Sequence, residues 1–242
     1  MDSYPLIPTA SFEGSALSHQ VRFRGVADDA RAAFANVLAK LAGSRWVVGA
    51  EKAVSGDQSF YGVAELSSGR DSAIFTIAPL ANFHYSDAPE YVASVSFESL
   101  PQEDAETRRQ LLSTLDIIPL TEFELAEIRR QFPLTQEYAR QCGSDALRGH
   151  AVFLAIHHMT DFVAMMDALV ALGVNPENVT LLDKGYPYTQ RHRVDGWLRD
   201  SLGLRIYTYP QRQTAVKAHI DRIERTGLQS VILDDGDRKS VV

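Results

Sequence analysis

Cysteine is almost absent from this chain. Among 242 residues there is one, Cys142. No disulfide can close within the chain, and neither a cysteine-based zinc site nor a CxxC redox pair can be built. Cys142 stands beside Gly143 with no activating partner near it in sequence, and is read as inert. Long apolar runs are missing too. No stretch approaches the ~20 residues that span a bilayer, and the opening MDSYPLIPTASFEG lacks the basic start and apolar run of a signal peptide. A cytoplasmic protein without membrane contact is expected. A concentrated positive surface is lacking as well: the net charge is −7, with both signs interspersed. That argues against nucleic acid as a partner, because phosphate binding needs clustered cations. Short basic stretches such as Arg191–Arg193 read as solvated helix faces. There is no GxGxxG dinucleotide fingerprint, no P-loop and no GxSxG nucleophile elbow.

What is present is a globular composition, 45% apolar and 23% charged, enough for a core without metal or disulfide support. Residues 1–15, rich in Pro, Ser and Gly, read as an irregular arm. Residues 16–120 read as an α+β domain of unassigned role. Val21 and Phe23 alternate as in a strand, and Asp28 or Asp29 caps a helix to about Ala42 with Phe34, Val37, Leu38 and Leu41 on one face. Strand-like runs follow at Arg45–Gly49, Phe60–Leu66, Ser72–Ile77 and Tyr91–Phe97. The turns between the earlier runs, Ser55-Gly56-Asp57 and Ser68-Gly69-Arg70-Asp71, are too short for crossover helices, so antiparallel hairpins are expected. Helices are expected near Ala105–Leu115 and at Glu122–Gln131.

From residue 121 to 242 the rhythm changes. Ala151–Ile156 is a continuous apolar strand. Thr160 or Asp161 caps a helix bearing Phe162, Met165, Met166 and Leu169. Val179–Leu182, Leu204–Tyr207 and Ser230–Leu233 are three more strands. A helix capped by Thr189 and another from about Thr214 lie between them. The alternation β-α-β-α-β-α-β predicts a parallel sheet with flanking helices, a Rossmann-like half domain. The expected class is thus α/β, preceded by a separate α+β domain.

Ligands of an open parallel sheet bind outside the carboxyl ends of its strands. Those ends carry His157-His158-Met159-Thr160, Asp183-Lys184-Gly185, Tyr207-Thr208-Tyr209 and Asp234-Asp235-Gly236-Asp237. A histidine there can donate to a ligand hydroxyl or move a proton near neutral pH. It can equally be a strand-end residue that caps or packs. Asp234 or Asp235 can accept from a ribose, act as a base, or simply cap the next loop. Asp183-Lys184 reads as an exposed ion pair, and Tyr207, Tyr209 and Met165-Met166 as packing. No two-histidine spacing of zinc-enzyme type is present, so no metal is expected, although His158, Asp161 and Asp235 can converge.

Five short segments fall in a telling order: Phe132-Pro133-Leu134, Leu147-Arg148-Gly149, Ile156-His157-His158-Met159-Thr160, Tyr188-Thr189-Gln190-Arg191 and Leu233-Asp234-Asp235-Gly236-Asp237. In order and spacing they resemble the substrate-binding half of the S-adenosylhomocysteine hydrolases. The likeness covers about 110 residues, from 132 to 242. It implies that His158 and Asp235 are catalytic and that Thr160, Thr189 and Gln190 line the substrate pocket. His157 and Asp234 join them as candidate substrate-binding residues on the same rim. In that family a tightly held NAD oxidises the ribose 3′ position, which allows homocysteine to be eliminated and water added. Departures are clear. A Glu that helps read adenine is Phe162 here, a Ser is Tyr188, an Asp is Arg191, and the final Gly-Asp becomes Asp237-Arg238. The ribose-holding Lys and Asp and the NAD domain would come after Val242. The resemblance therefore implies a protein that binds S-adenosylhomocysteine, adenosine or a related nucleoside, with no cofactor bound by this chain alone. A partner chain or homo-oligomer stays open. So do three other readings: a split hydrolase taking NAD from elsewhere, a ligand-free assembly protein, and a non-redox enzyme using His158 and Asp235 as acid and base.

Overall fold

The computed structural model describes residues 18–44, 46–56, 59–69, 71–80, 89–99, 114–185 and 190–235. The expected arm at 1–15, nearly all of the expected helix at 105–115, and Tyr188, Thr189, Gly236 and Asp237 lie outside them. The chain divides into two units, one of Met1–Arg22 with Val26–Leu115, the other of Phe23–Gly25 with Asp116–Val242.

The first unit holds a five-stranded sheet in the order β1-β5-β4-β3-β2, built from β1 (Ser18–Arg24), β2 (Val47–Ser55), β3 (Phe60–Ser68), β4 (Asp71–Pro79) and β5 (Glu90–Ser99). The β2–β5 ladders are antiparallel, as the short turns require. Side chains alternate in burial along β3, β4 and β5, so one face forms a core in which Ala64, Phe75 and Val95 stand opposite one another. α1 (Ala27–Ala42) lays Phe34 on that face, stacked on Phe75 at 5.3 Å and tilted against Phe60 at 5.6 Å. Gly62 makes the approach possible: a Cβ there would meet the Phe34 ring at 2.8 Å. The cap differs from the expectation. α1 begins after Val26, and Asp29, at the third helical position, accepts from the Val26 amide at 2.8 Å. β2 runs further than the sequence suggested. Its residues are nearly all exposed, so no apolar alternation marks its length.

The second unit is a mixed α/β assembly around a parallel four-stranded sheet. Its strands are β6 (His150–Ile156), β7 (Val179–Asp183), β8 (Ile206–Thr208) and β9 (Gln229–Asp234), in the order β8-β7-β6-β9. All three ladders are parallel. α2 (Glu122–Gln131) and α3 (Pro133–Cys142) precede the sheet. α4 (Asp161–Ala171), α5 (Arg191–Leu202) and α6 (Arg212–Thr226) connect its strands. Thr121 caps α2 through a reciprocal pair with Glu124. Parity along β6 divides the helices between two faces. Val152, Leu154 and Ile156 pack with Phe162, Met166, Val194 and Trp197 of α4 and α5, whereas Phe153 and Ala155 pack with Ala215 of α6. Gly203 and Gly227 end α5 and α6 in left-handed conformation, as helix stops do. The chain steps from β6 outward to β8, then returns across β6 to β9. The strand order reverses between β6 and β9, and all four carboxyl ends share one rim.

Candidate functional site

Three strand ends are tied together on that rim. His157, directly after β6, donates its backbone N–H to Asp235 Oδ2 at 2.9 Å and brings ring Nδ1 to the same oxygen at 2.6 Å. Lys184, directly after β7, reaches Asp234 Oδ1 at 2.6 Å and also the other oxygen of Asp235. Burial acts to lower the Lys184 pKa, but the hydrogen bonds and charges of Asp234 and Asp235 outweigh it and hold the ammonium above its ordinary value. The Asp234 side chain is 60% exposed, the outermost of the set. The clasp straddles the place where β6 and β9 part.

A second cluster lies deeper, on the side of α4 and α5. His158 is fully buried. Its ring stacks on Phe162 with centroids 5.1 Å apart, and its Nδ1 stands 2.5 Å from Asp195 Oδ1. With Nδ1–H donating to that carboxylate, a neutral imidazole presents Nε2 as a lone pair. Nε2 is itself buried and has no hydrogen-bond partner among the described residues. Asp183, the last residue of β7, is buried and paired with Arg191 at the start of α5. Its Oδ1 accepts from the Gly185 amide at 2.9 Å. Arg191 Nε and Arg199 Nη2 lie 3.9 and 3.8 Å from Asp195 Oδ2.

Several expectations change here. Asp183 and Lys184 are not an exposed pair: the acid is buried with Arg191, and the lysine turns to Asp234 and Asp235. Neighbours on a strand point to opposite sides and cannot pair with each other. Arg193 is not a solvated helix face. It is 2% exposed and bonded to Glu124, to Gln190 and to the Ile118 and Pro119 carbonyls. Asp235 is held by His157, while the acid on His158 is Asp195. The carboxylates gathered at His158 are Asp183 and Asp195; neither Asp161 nor Asp235 is among them. Thr160 occupies the position before α4 in helical conformation, and its side chain caps nothing. Gln190 adopts a left-handed φ of 67°, and its side-chain oxygen accepts from Arg193 at 3.1 Å. Asp195 was not singled out from sequence, and Arg193 was read only as part of a solvated basic stretch. The available signal was their spacing from Val194, Trp197 and Leu198, which marks the inward side of α5.

On the opposite face, Phe153, Ala155, Leu182, Val216 and Ile220, together with Arg212, Gln213 and Lys217, line an open trough of about 540 Å³ that reaches Asp234 at the rim. Its size suits a small organic ligand. No protein-family model and no curated protein matches this chain. Among the described residues no helix is long and apolar enough to cross a membrane.

Proposed function

We propose that the second unit is a Rossmann-like half domain that binds a neutral ribose-bearing ligand, an adenine nucleoside such as adenosine or S-adenosylhomocysteine, at the rim between β6 and β9. The observation that carries this reading is the clasp of His157, Lys184, Asp234 and Asp235 at the reversal of strand order, where open parallel sheets take their ligands. Ribose hydroxyls are donors, and the exposed Asp234 carboxylate is an acceptor beside them. The apolar trough offers a wall for the base or the thioether arm. The motif order in the sequence supplies the identity of the nucleoside. A dinucleotide does not fit the turn after β6. That turn holds no glycine from His157 to Thr160, and the His157 amide is already committed to Asp235. Hydride chemistry is therefore outside this reading of the chain.

Calorimetry and thermal shift with adenosine, S-adenosylhomocysteine and AMP test it. Saturable binding of the first two is expected, with AMP at least tenfold weaker because its phosphate meets Asp234 and Asp235. Asp234→Asn should weaken adenosine at least tenfold, about 1.4 kcal/mol. Absence of heat and of any melting shift at millimolar nucleoside refutes the proposal.

A further inference from the structure

α6 leaves part of its face of the parallel sheet uncovered. The helix rests on the strands through the buried Ala215 and His219. His219 meets Phe153 edge-on at 5.4 Å and shares a hydrogen bond with Ser230 Oγ at 2.9 Å. The bulkier Val216 and Ile220 stay 46% and 47% exposed along the trough. Ile232, opposite Phe153 in the β6–β9 ladder, stays 66% exposed. Parallel sheets ordinarily have both faces covered, so this apolar strip offers a place for a guest. The same wall carries charge. Gln213, Val216, Lys217 and Ile220 follow the spacing of one helical face, and all four line the trough together with Arg212. Among the described residues neither Arg212 nor Lys217 pairs with a carboxylate. Arg212 lies over the Tyr209 ring at 5.0 Å and reaches that residue's carbonyl at 3.4 Å.

We infer that the trough binds a small amphipathic monocarboxylate, with its apolar body against Phe153, Leu182, Val216 and Ile220 and its carboxylate between Arg212 and Lys217. Charge selects the class. Arg212 and Lys217 bring two positive charges to the trough. Asp234, at the rim of the same trough, takes back part of one, because it shares Lys184 with Asp235. Close to one net positive charge remains, which a monoanion balances and a neutral guest leaves unmet. The first turn of α6, which holds Arg212 and Gln213, adds the favourable end of the helix dipole. The volume of about 540 Å³ falls within the ordinary range of small-ligand pockets. Both cations are exposed, so each contributes modestly, about threefold in affinity. Burial of the apolar body supplies the remainder. The inference goes beyond the nucleoside reading and does not rest on it, since its probe carries neither base nor sugar.

The full chain is titrated by calorimetry with octanoate, octanamide, acetate and octyl phosphate at neutral pH. Octanoate should saturate at one equivalent. Octanamide, which keeps the body and lacks the charge, should bind about tenfold more weakly, the product of the two cations. Acetate, which keeps the charge and lacks the body, should bind more weakly still. Arg212→Gln and Lys217→Gln should each weaken octanoate about threefold and leave octanamide unchanged. Val216→Asp should weaken octanoate at least tenfold. All three positions are exposed, so the variants should fold, and circular dichroism checks each. Octanamide that binds as tightly as octanoate overturns the proposal, as does an octanoate affinity unchanged in the Arg212→Gln, Lys217→Gln double variant. Octyl phosphate that binds more tightly than octanoate overturns the carboxylate assignment. Binding that Val216→Asp leaves untouched lies outside the trough and overturns the proposal too, and so does the absence of saturable heat at millimolar octanoate.

Discussion

Replacing Arg193 with Met should be the most damaging single charge removal in the second unit. The guanidinium donates to the Ile118 carbonyl at 3.1 Å, to Glu124 Oε1 and Oε2 at 2.9 and 2.5 Å, to Gln190 at 3.1 Å and to the Pro119 carbonyl at 2.6 Å. Methionine matches much of the aliphatic stem and none of the donors. Glu124, 8% exposed, would keep its bonds from the Thr121 and Arg24 amides but lose its counter-charge. Breaking a buried pair from one side costs about 3–5 kcal/mol, because the remaining charge stays buried. With a urea m-value of about 2 kcal/mol/M, the midpoint for this unit falls by roughly 2 M. Arg24 and Glu127 provide the internal control. They pair at 2.8 Å with side chains 37% and 24% exposed, and Glu127→Gln should cost no more than about 1 kcal/mol. Urea unfolding followed by tryptophan fluorescence reads both, since Trp197 lies on α5 near Arg193. An Arg193→Met loss no larger than the Glu127→Gln loss refutes the argument, as does a loss unchanged when Glu124 is already Gln.

Burial, and secondarily Arg222, hold the His219 pKa below its ordinary 6.5. The unfolded chain thus takes up a proton that the native state refuses. The stability present above about pH 6.5 is lost as pH falls toward the native value, with a slope of at most about 1.4 kcal/mol per pH unit; His219→Gln should flatten this part of a melting-temperature profile between pH 7 and 5. The raised Lys184 pKa has the opposite sense. Its stabilisation is fully present below the ordinary 10.5 and fades as pH rises through the native value, so the melting gap between wild type and Lys184→Met should narrow in strongly alkaline buffer. Gly62→Ala puts a Cβ 2.8 Å from the Phe34 ring, and overpacking should destabilise the first unit by about 1–3 kcal/mol in thermal unfolding.

The parallel unit was legible because its signals are local and agree. The run Ala151–Ile156, the helix faces of α4 and α5 and the glycines at 203 and 227 each name their element without help from the rest of the chain. The antiparallel ladders were legible from turn lengths, and β2 was shortened because an exposed strand leaves no pattern to read. The pairing of charges was not legible, and the reason is parity. Even-numbered residues of β6 face α4 and α5, and odd-numbered ones face α6. Continued one step beyond Ile156, that alternation sends His157 and His158 to different partners, Asp235 and Asp195. Adjacency in sequence suggested pairing Asp183 with Lys184, and the same alternation separates them. Arg193 looked solvated because Arg191, His192 and Arg193 form a basic triplet, yet successive helical residues are turned by 100°, so the triplet never shares one face.

The two clusters also constrain what the rim can bind. Asp183, Asp234 and Asp235 put three carboxylates at the carboxyl ends of β7 and β9, on either side of β6, and Asp195 of α5 adds a fourth; the cations drawn in among them are Lys184 and Arg191 at close range and Arg199 at 3.8 Å. Each close cation is already shared by two acids. A phosphate or carboxylate seated on the clasp itself would have to win one of them away and leave an acid uncompensated, a loss comparable to breaking a buried pair. A ligand that donates instead, through hydroxyls, adds contacts at the outer clasp without displacing a charge. On the proposed reading, donor hydroxyls sit beside Asp234, where the carboxylate is exposed. On that reading, selection against anions at the clasp thus follows from the charges that hold the strand ends together.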